Sequence, residues 1–388
     1  MLLKWSYNTF MNRNYICAIA VLSGTIIGAG LFAVPLVVSK AGLVPFLLFL
    51  PFLAVVQFFL HTIYAEIILS SEQRHRLAGY VGVYCGSRAK NWALLFSIIG
   101  KHGAILAYII LGGSFLYALL NPVFGGSLFF YTVILYLIQS VIVFFGLRLI
   151  AGVELALSTA LVILVLLIAF KSYPYFDLGN FALVNKDSIF LPYGPIFFAV
   201  GGQVAIPEIC RMLRAEKEKI RGVIAWGTFI PAVFVFIFVL VVVGVTGNNT
   251  TSDALVGLQG YFDNGIIIFA LIFGLLTVIT SFLINSQSLR EVYWWDIRIN
   301  NNLSWLLACG TPFLLYLLGV SDLTKVIGLT GSVIGGVFGV ILILLLLKVK
   351  NVRSKSPVIN NKLRLPLVAV LCLVFFFGLF YELWHFFY

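Results

Sequence analysis

The stretch with the clearest capacity for chemistry is residues 24–35, Gly-Thr-Ile-Ile-Gly-Ala-Gly-Leu-Phe-Ala-Val-Pro, inside a long apolar segment. It places Gly24, Gly28 and Gly30 within seven residues, with Pro35 five residues further on. Glycine in a helix interior costs about 1 kcal/mol relative to alanine, so we expect this helix to unwind. The freed N–H groups, helped by the positive end of the following half-helix, suit the carboxylate of a small zwitterion.

A second interrupted segment lies at residues 194–208, Gly-Pro-Ile-Phe-Phe-Ala-Val-Gly-Gly-Gln-Val-Ala-Ile-Pro-Glu. The pair Gly201-Gly202 is followed five residues later by Pro207. Unwinding here would free carbonyl groups around 199–202, which can accept hydrogen bonds from a substrate ammonium group. A zwitterion bound in this way needs no charged side chain. Alternatively, the glycines of both stretches serve only the close packing of helices.

The predicted substrate site draws on both interrupted segments and on one tyrosine. Tyr108 would close over the substrate or bond its carboxylate; alternatively, it is an ordinary core aromatic residue. The predicted substrate-binding residues are Gly24, Thr25, Gly28, Ala29, Gly30, Tyr108, Ala199, Gly201, Gly202 and Gln203.

Titratable side chains inside apolar segments are functional candidates, because a charge in a bilayer is costly. We predict that Lys101 and Glu208 take part in ion coupling. Glu66 and Glu154 are possible partners of Lys101, and His61 is a possible proton relay. Alternatively, Lys101 and its two possible partner acids extend to the membrane surface by snorkelling. Glu208 would be an interfacial carboxylate, and His61 a hydrogen-bonded packing residue.

The composition places these residues in a polytopic α-helical membrane protein. The chain has 388 residues, 62% hydrophobic and 10% charged, whereas soluble domains carry about 25% charged residues. Its apolar runs are continuous and ~20 residues long, unlike the alternating segments of a β-barrel. The first run is full-length and lacks a cleavage site, so we expect no cleavable signal peptide. The five scattered cysteines form no CxxC pair and predict neither a disulfide framework nor a metal site.

The apolar runs predict eleven helices, near residues 15–39, 42–69, 92–119, 128–147, 150–170, 188–210, 222–246, 265–288, 302–318, 326–347 and 365–384. With a cytoplasmic N-terminus, most lysines and arginines fall on one face, so the net charge of +11 reflects membrane topology and not a nucleic-acid partner. We therefore expect a cell-membrane protein.

The two interrupted segments open two five-helix halves of opposite orientation, which predicts an inverted repeat. We expect a cytoplasmic tail (1–14), a first repeat (15–170), an outer loop (171–187), a second repeat (188–347), a basic cytoplasmic linker (348–364) and an additional helix outside the ten-helix core (365–388). A short interfacial helix fits the loop at 70–91. In the tenth helix, the glycines at 328, 331, 335, 336 and 339 predict close helix packing.

The 24–35 stretch resembles the first-helix signature of the amino acid–polyamine–organocation transporters, above all the aromatic and hydroxy amino acid permeases and the wider amino acid/auxin permeases. Residues 195–208 are similar to their sixth helix, Ala107-Tyr108 with Gly112-Gly113 to their third, and 280–282 to their eighth. The resemblance implies a LeuT-type 5+5 inverted-repeat fold and cation-coupled amino acid symport. Gln203, where aromatic permeases often carry histidine, and Gly202, where a bulky aromatic is common, depart from the pattern and leave the aromatic specificity open.

Three hydroxyl side chains, Thr277, Thr280 and Ser281, are spaced to share one helical face. In the LeuT-type fold this face meets the first-helix break, where carbonyls of Gly24 and Ile27 would complete an oxygen shell for Na⁺, a hard cation. Alternatively, the hydroxyls bond back to their own helix. Apart from this possible Na⁺, the sequence predicts no metal and no cofactor.

The sequence thus predicts a transporter, not an enzyme: the four histidines have no ligand spacing, and no nucleotide-binding P-loop is present. We expect proton-coupled symport of aromatic or large neutral amino acids by alternating access. The alternatives are a Na⁺-coupled symporter of small neutral amino acids and a non-transporting nutrient sensor of the same fold. The oligomeric state stays open.

Overall fold

The computed structural model describes residues 2–71, 75–146, 150–262, 264–352, 359 and 365–387. For the helical residues 2–13, 150–159, 161, 264, 334, 350–352, 365–367 and 385–387 it describes the backbone alone. The side chain of Glu154 and the linker segments 353–358 and 360–364 therefore lie outside what is described.

The first half of the chain folds into seven helices. They are α1 (Leu2–Ile26), α2 (Gly30–Ala41), α3 (Leu43–Ser70), α4 (Leu77–Cys85), α5 (Ser87–Phe124), α6 (Leu128–Phe145) and α7 (Ile150–Ser172). The expected first helix is the pair α1–α2, bent by 52° at a break between Ile26 and Gly30. The helical backbone of α1 also runs back through the expected tail to Leu2. The short α4 occupies the loop in which an interfacial helix was expected.

The second half repeats the pattern, again opening with a broken helix. Its helices are α8 (Tyr193–Ala199), α9 (Ile206–Met212), α10 (Ile220–Thr246), α11 (Asn264–Glu291), α12 (Asn301–Leu317) and α13 (Leu323–Val352), and α14 (Leu365–Phe387) follows. The expected sixth helix is the pair α8–α9, interrupted at 200–202. The prediction of discontinuous first and sixth helices is confirmed.

By length and composition, six of the described helices can cross a membrane, or seven if the bent pair α1–α2 counts as one span. They are α3, α5, α6, α10, α11 and α13. Together with these six spans and the pair α1–α2, the pair α8–α9 and the helices α7, α12 and α14 account for the expected eleven helices. Large apolar side chains such as Phe170, Phe269 and Phe376 are exposed on the outside of the bundle, as a lipid-facing surface requires.

The helix expected near 92–119 extends further at both ends, as α5 (Ser87–Phe124). The helix continues through Pro122 and stops at Phe124, where Gly125 and Gly126 have φ values of 65° and 108°. Such positive φ values favour glycine, so this pair, and not the proline, ends the helix.

The glycines of α13 form close contacts on two sides. A Cβ at Gly331 would collide with the Gly194 carbonyl of α8, and one at Gly335 would collide with the Phe197 ring. On another side, Gly339 lies against the Phe375 ring of α14. The expected close packing is therefore present, but α14 takes part in it and is not peripheral to the bundle.

Candidate functional site

The two helix breaks lie against each other. A Cβ at Gly30, the first residue of α2, would come within 2.6 Å of the Ala199 Cα at the end of α8. A Cβ at Gly202, in the second break, would come within 2.7 Å of the Ile26 side chain and 2.8 Å of the Leu22 side chain. Folding thus brings together two segments that are about 170 residues apart in the chain, and Gly202 has no room for the bulky aromatic residue that is common in similar transporters.

The first break leaves hydrogen-bond donors free. Gly24 and Thr25 remain inside α1, and the Thr25 hydroxyl donates to the Val21 carbonyl at 2.8 Å. The Gly28 amide turns back to the Ile26 carbonyl at 2.8 Å, and the next backbone bond is from the Leu31 amide to the Gly28 carbonyl at 3.1 Å. Among the described residues, the amides of Ala29 and Gly30 therefore donate no backbone hydrogen bond. They lie at the positive end of α2.

The second break leaves hydrogen-bond acceptors free. The Val200 amide donates to the Ile196 carbonyl at 3.0 Å, and the Gly201 amide donates to the Phe198 carbonyl at 3.1 Å. In the described part of the chain, the carbonyls of residues 199–201 accept no backbone hydrogen bond outside the regular helices. Donors at one break and acceptors at the other give the polarity that an amino acid zwitterion requires.

Two polar side chains of α3, one turn apart, hold the second break in shape. The Gln57 amide donates to the Phe197 carbonyl at 3.1 Å, and its oxygen accepts from the Gln203 side-chain amide at 2.8 Å. His61 Nε2 accepts from the Gly202 backbone amide at 3.1 Å, and His61 Nδ1 lies 3.0 Å from the Thr228 hydroxyl of α10. Gln203 therefore serves the shape of the break, in addition to any contact with a substrate.

Replacing Gln57 with leucine is expected to lower both thermal stability and transport. The change leaves the Phe197 carbonyl and the Gln203 amide buried without partners, at about 1–3 kcal/mol for each group. The matched control is Gln139→Leu in α6. Gln139 is 1% exposed, and neither of its side-chain polar atoms has a partner among the described residues, so its loss should be neutral or stabilising. Unfolding temperatures in detergent measure the difference, and equal changes in both variants would contradict the role given to Gln57.

The three hydroxyls of α11 divide into two groups. The Thr277 hydroxyl donates to the Phe273 carbonyl at 2.8 Å, and the Thr280 hydroxyl donates to the Thr277 carbonyl at 3.0 Å. Ser281 instead faces the first break, with its Oγ 3.7 Å from the position of a Cβ at Gly28. The two threonine oxygens keep lone pairs after donating, so the back-bonding does not by itself remove them as cation ligands. Ile27, the other proposed ligand, begins the break and is buried.

Tyr108 is buried in α5, one turn before Gly112. A Cβ at Gly112 would lie 3.3 Å from Val278 of α11, so this face of α5 packs against the helix that carries the three hydroxyls.

Lys101 lies in a polar cluster at one end of the bundle. Its Nζ donates to the Ser288 hydroxyl of α11 at 2.7 Å. The same hydroxyl accepts from Arg76 Nη1 at 2.8 Å, and Arg76 also forms an ion pair with Glu291. Lys101 is thus connected to the Arg76–Glu291 ion pair through the shared Ser288 hydroxyl.

The remaining acidic candidates are distributed differently. Glu208 is half-buried on α9, where it pairs with Arg211. That placement favours the alternative of an interfacial carboxylate. Glu66 is 2% exposed in α3, and the side chain of Glu154 lies outside the described residues.

Glu382 is a candidate that the sequence analysis did not identify. It is 2% exposed in α14, between Gly194 of α8 and Gly328 of α13; a Cβ at Gly328 would come within 2.6 Å of its Oε2. Its Oε1 has no hydrogen-bond partner among the described residues, and neither has the buried Tyr193 hydroxyl. An acidic residue in an apolar helix was the signal, but the helix was expected to lie outside the core.

An apolar groove with a volume of about 510 Å³ lies between α7 and α11, away from both breaks. It is lined by Ala160, Ile163, Leu164, Leu167, Lys171, Ile266, Phe269 and Phe273. Ile163, Leu167 and Phe269 are more than half exposed, so the groove belongs to the lipid-facing surface.

A model of the tryptophan/tyrosine permease family matches residues 11–385. No curated protein sequence matches the chain significantly. One solved structure with the same fold is Mhp1, a nucleobase-cation-symport-1 family transporter, in a closed conformation with bromovinylhydantoin bound. Its TM-score is 0.64 at 15% identity, and the match covers 95% of this chain and 90% of that one. Another is MhsT in complex with L-phenylalanine, with a TM-score of 0.61 at 15% identity, covering 94% of this chain and 97% of that one. A third is a manganese transporter from Eremococcus coleocola, with a TM-score of 0.62 at 12% identity, covering 95% of this chain and 86% of that one. The predicted LeuT-type fold is confirmed.

Proposed function

The chain belongs to the tryptophan/tyrosine permease family, and from this we propose that it takes up aromatic or other large neutral amino acids together with protons, by alternating access. It is a multi-pass membrane transporter of the LeuT fold. The substrate, the coupling ion and the direction of transport are the parts that we propose.

The observation that carries the substrate assignment is the pairing of free donors at one break with free acceptors at the other. The carboxylate would lie at the amides of Ala29 and Gly30, and the ammonium group at the carbonyls of residues 199–201. The side chain would extend past Gly28 and Gly201, both of which are half-buried. The family description names tryptophan and tyrosine, and MhsT, which shares the fold, binds L-phenylalanine. These descriptions support an aromatic substrate.

We favour protons over Na⁺ as the coupling ion. Titratable side chains lie buried within the bundle, among them His61 and Glu382, and a buried titratable group is what proton coupling requires. Glu208 is half-buried and paired with Arg211, so it supports the proton assignment less than a fully buried acid would. Ser281, which faces Gly28, supports the Na⁺ alternative.

The test is uptake of labelled tyrosine, tryptophan, leucine and serine into proteoliposomes, under an imposed inward gradient of either H⁺ or Na⁺. We expect accumulation of the aromatic substrates when the outside is acidic, without Na⁺. A strict Na⁺ requirement would contradict the proton assignment and direct mutagenesis to Thr277, Thr280 and Ser281. Binding without flux under either gradient would indicate a nutrient sensor of the same fold.

A further inference from the structure

His61 uses both of its ring nitrogens in the hydrogen bonds that join three helices. It is completely buried in α3. Nε2 faces the backbone amide of Gly202 at 3.1 Å, and Nδ1 faces the Thr228 hydroxyl of α10 at 3.0 Å. One imidazole thus connects α3, the break of the sixth helix and α10.

The partners determine where the imidazole carries its proton. A backbone amide is only a donor, so Nε2 must be the acceptor and must carry no proton in this conformation. Nδ1 then carries the hydrogen and donates to the Thr228 oxygen. The structure therefore requires a neutral His61 of one defined tautomer.

Protonation of His61 is incompatible with this geometry. A proton on Nε2 would occupy the lone pair that the Gly202 amide uses, and two N–H donors would then face each other. The Gly202 amide would lose its partner in a buried place, where an unsatisfied backbone group is costly. Protonation therefore requires the second break to move away from His61; otherwise the proton dissociates from Nε2.

A shift at Gly202 would be transmitted to the first break. Gly202 lies against Ile26 and Leu22 at the end of α1, and a Cβ on it would come within 2.7 Å and 2.8 Å of those side chains. The chain from the His61 ring through Gly202 to Ile26 therefore connects a titratable group to both halves of the proposed substrate site.

Among the described residues, the hydrogen bonds of the His61 ring nitrogens go to uncharged groups. The elements that pack against α3 are α2, α8, α9, α10, α13 and the turn at 203–205. Their titratable and charged residues within the described part, together with those of α3 itself, are Lys40, Tyr64, Glu66, Tyr193, Glu208, Cys210, Arg211, Arg221, Lys325 and Lys348. The groups that face the ring nitrogens are the uncharged Thr228 hydroxyl and the Gly202 amide.

We propose that His61 is the binding site of the coupling proton, and that the proton and the Gly202 amide compete for the same Nε2 lone pair. Binding of the proton releases the break of the sixth helix from α3, and loss of the proton restores the bond. This proposal rests on the proposed function of proton-coupled symport, and it assigns the coupling to one atom of that transporter.

The test compares His61→Gln with His102→Gln in proteoliposomes. Glutamine can offer an oxygen to the Gly202 amide but does not titrate. His102, 9% exposed in α5 and 2.9 Å from the Tyr293 hydroxyl, is a buried histidine at a different place. Two fluxes are measured: exchange of labelled substrate at equal pH on both sides, which needs no net proton movement, and accumulation driven by an acidic outside.

We expect His61→Gln to reduce gradient-driven accumulation by at least about tenfold more than it reduces exchange, because only accumulation depends on a proton site. His102→Gln should keep both fluxes. Wild-type accumulation by His61→Gln would overturn the proposal and direct attention to Lys101 and Glu382. If wild type itself shows no proton-driven flux, the proposed function fails, and that result differs from a failure of His61 alone.

A second variant decides the case if His61→Gln does not fold. Thr228→Val removes the acceptor of the Nδ1 hydrogen, so the imidazole loses its preference for the tautomer that accepts from Gly202. We expect the pH dependence of substrate affinity, measured in detergent between about pH 5 and 8, to shift relative to wild type. An unchanged pH profile in a folded Thr228→Val protein would overturn the proposal.

Discussion

Replacing Gly28 with leucine is expected to abolish uptake in a protein that still folds. A Cβ at this position meets only the Ser281 Oγ at 3.7 Å and the Thr25 carbonyl at 3.9 Å, which are ordinary contacts. The larger side chain would then occupy the space between the breaks, where the substrate is proposed to lie. Because the leucine side chain would displace the substrate from its binding position, we expect uptake to fall at least roughly 100-fold. Gly201→Leu should also reduce uptake, although a Cβ at the second break is more crowded, 3.3 Å from the Phe198 carbonyl.

The matched control for Gly28 is Gly30, two residues later. A Cβ at Gly30 would lie 2.6 Å from the Ala199 Cα, a backbone atom that cannot move aside easily. Gly30→Ala should therefore destabilise the protein by roughly 1–3 kcal/mol, whereas Gly28→Ala should fold normally. Unfolding temperature and uptake are measured on the same preparations. Wild-type uptake by both Gly28→Leu and Gly201→Leu would contradict the assignment of the site.

Replacing Glu382 with lysine is expected to prevent stable folding, and replacing it with glutamine is expected to be tolerated. The carboxyl group is 2% exposed among the backbones of Gly194 and Gly328, with no cationic partner among the described residues. These surroundings suit an uncharged group of the same shape, and the side-chain amide of glutamine supplies one. Lysine would add a longer side chain and an unpaired buried charge, at roughly 3–5 kcal/mol. Size-exclusion profiles and unfolding temperatures in detergent measure the outcome.

The control for Glu382 is Leu383→Lys, at the next residue of the same helix. Leu383 is 39% exposed, and a lysine near a helix end can extend its amine to the membrane surface, so we expect a small effect. Equal stability of the two lysine variants would contradict the buried position of Glu382 and the integration of α14 into the bundle.

The positions of the two breaks could be predicted from the sequence because they depend on local chemistry. Glycine clusters followed by proline weaken a helix wherever it lies, and both breaks occur inside the stretches that carry them. Their detail was less predictable. Gly24 and Thr25 stay helical and only residues 27–29 unwind, because hydrogen bonds such as that from the Ile27 amide to the Ser23 carbonyl continue the helix past the first glycine.

The side-chain support of the site was only partly predictable. Gln57 and His61 are one turn apart on a helix that is mostly apolar, which is a recognisable signal in a membrane segment. Their partners were not predictable, because the Gly202 amide and the Gln203 side chain lie more than 140 residues away in the chain. Glu208 is a second example: its place after Pro207 suggested coupling, and its ion pair with Arg211 appears only in the structure.

The sequence by itself determined that this protein is a helical membrane transporter with two broken helices, since hydropathy and glycine content act through the bilayer and the local backbone. Only the tertiary structure decided which glycines pack and which leave space, because a Cβ at Gly30 meets the Ala199 backbone whereas one at Gly28 meets only ordinary contacts. It also decided that the last helix carries a buried acid into the bundle and that His61 holds the Gly202 amide. Contacts between distant segments depend on how helices cross, and that information is not present in any single stretch of the chain.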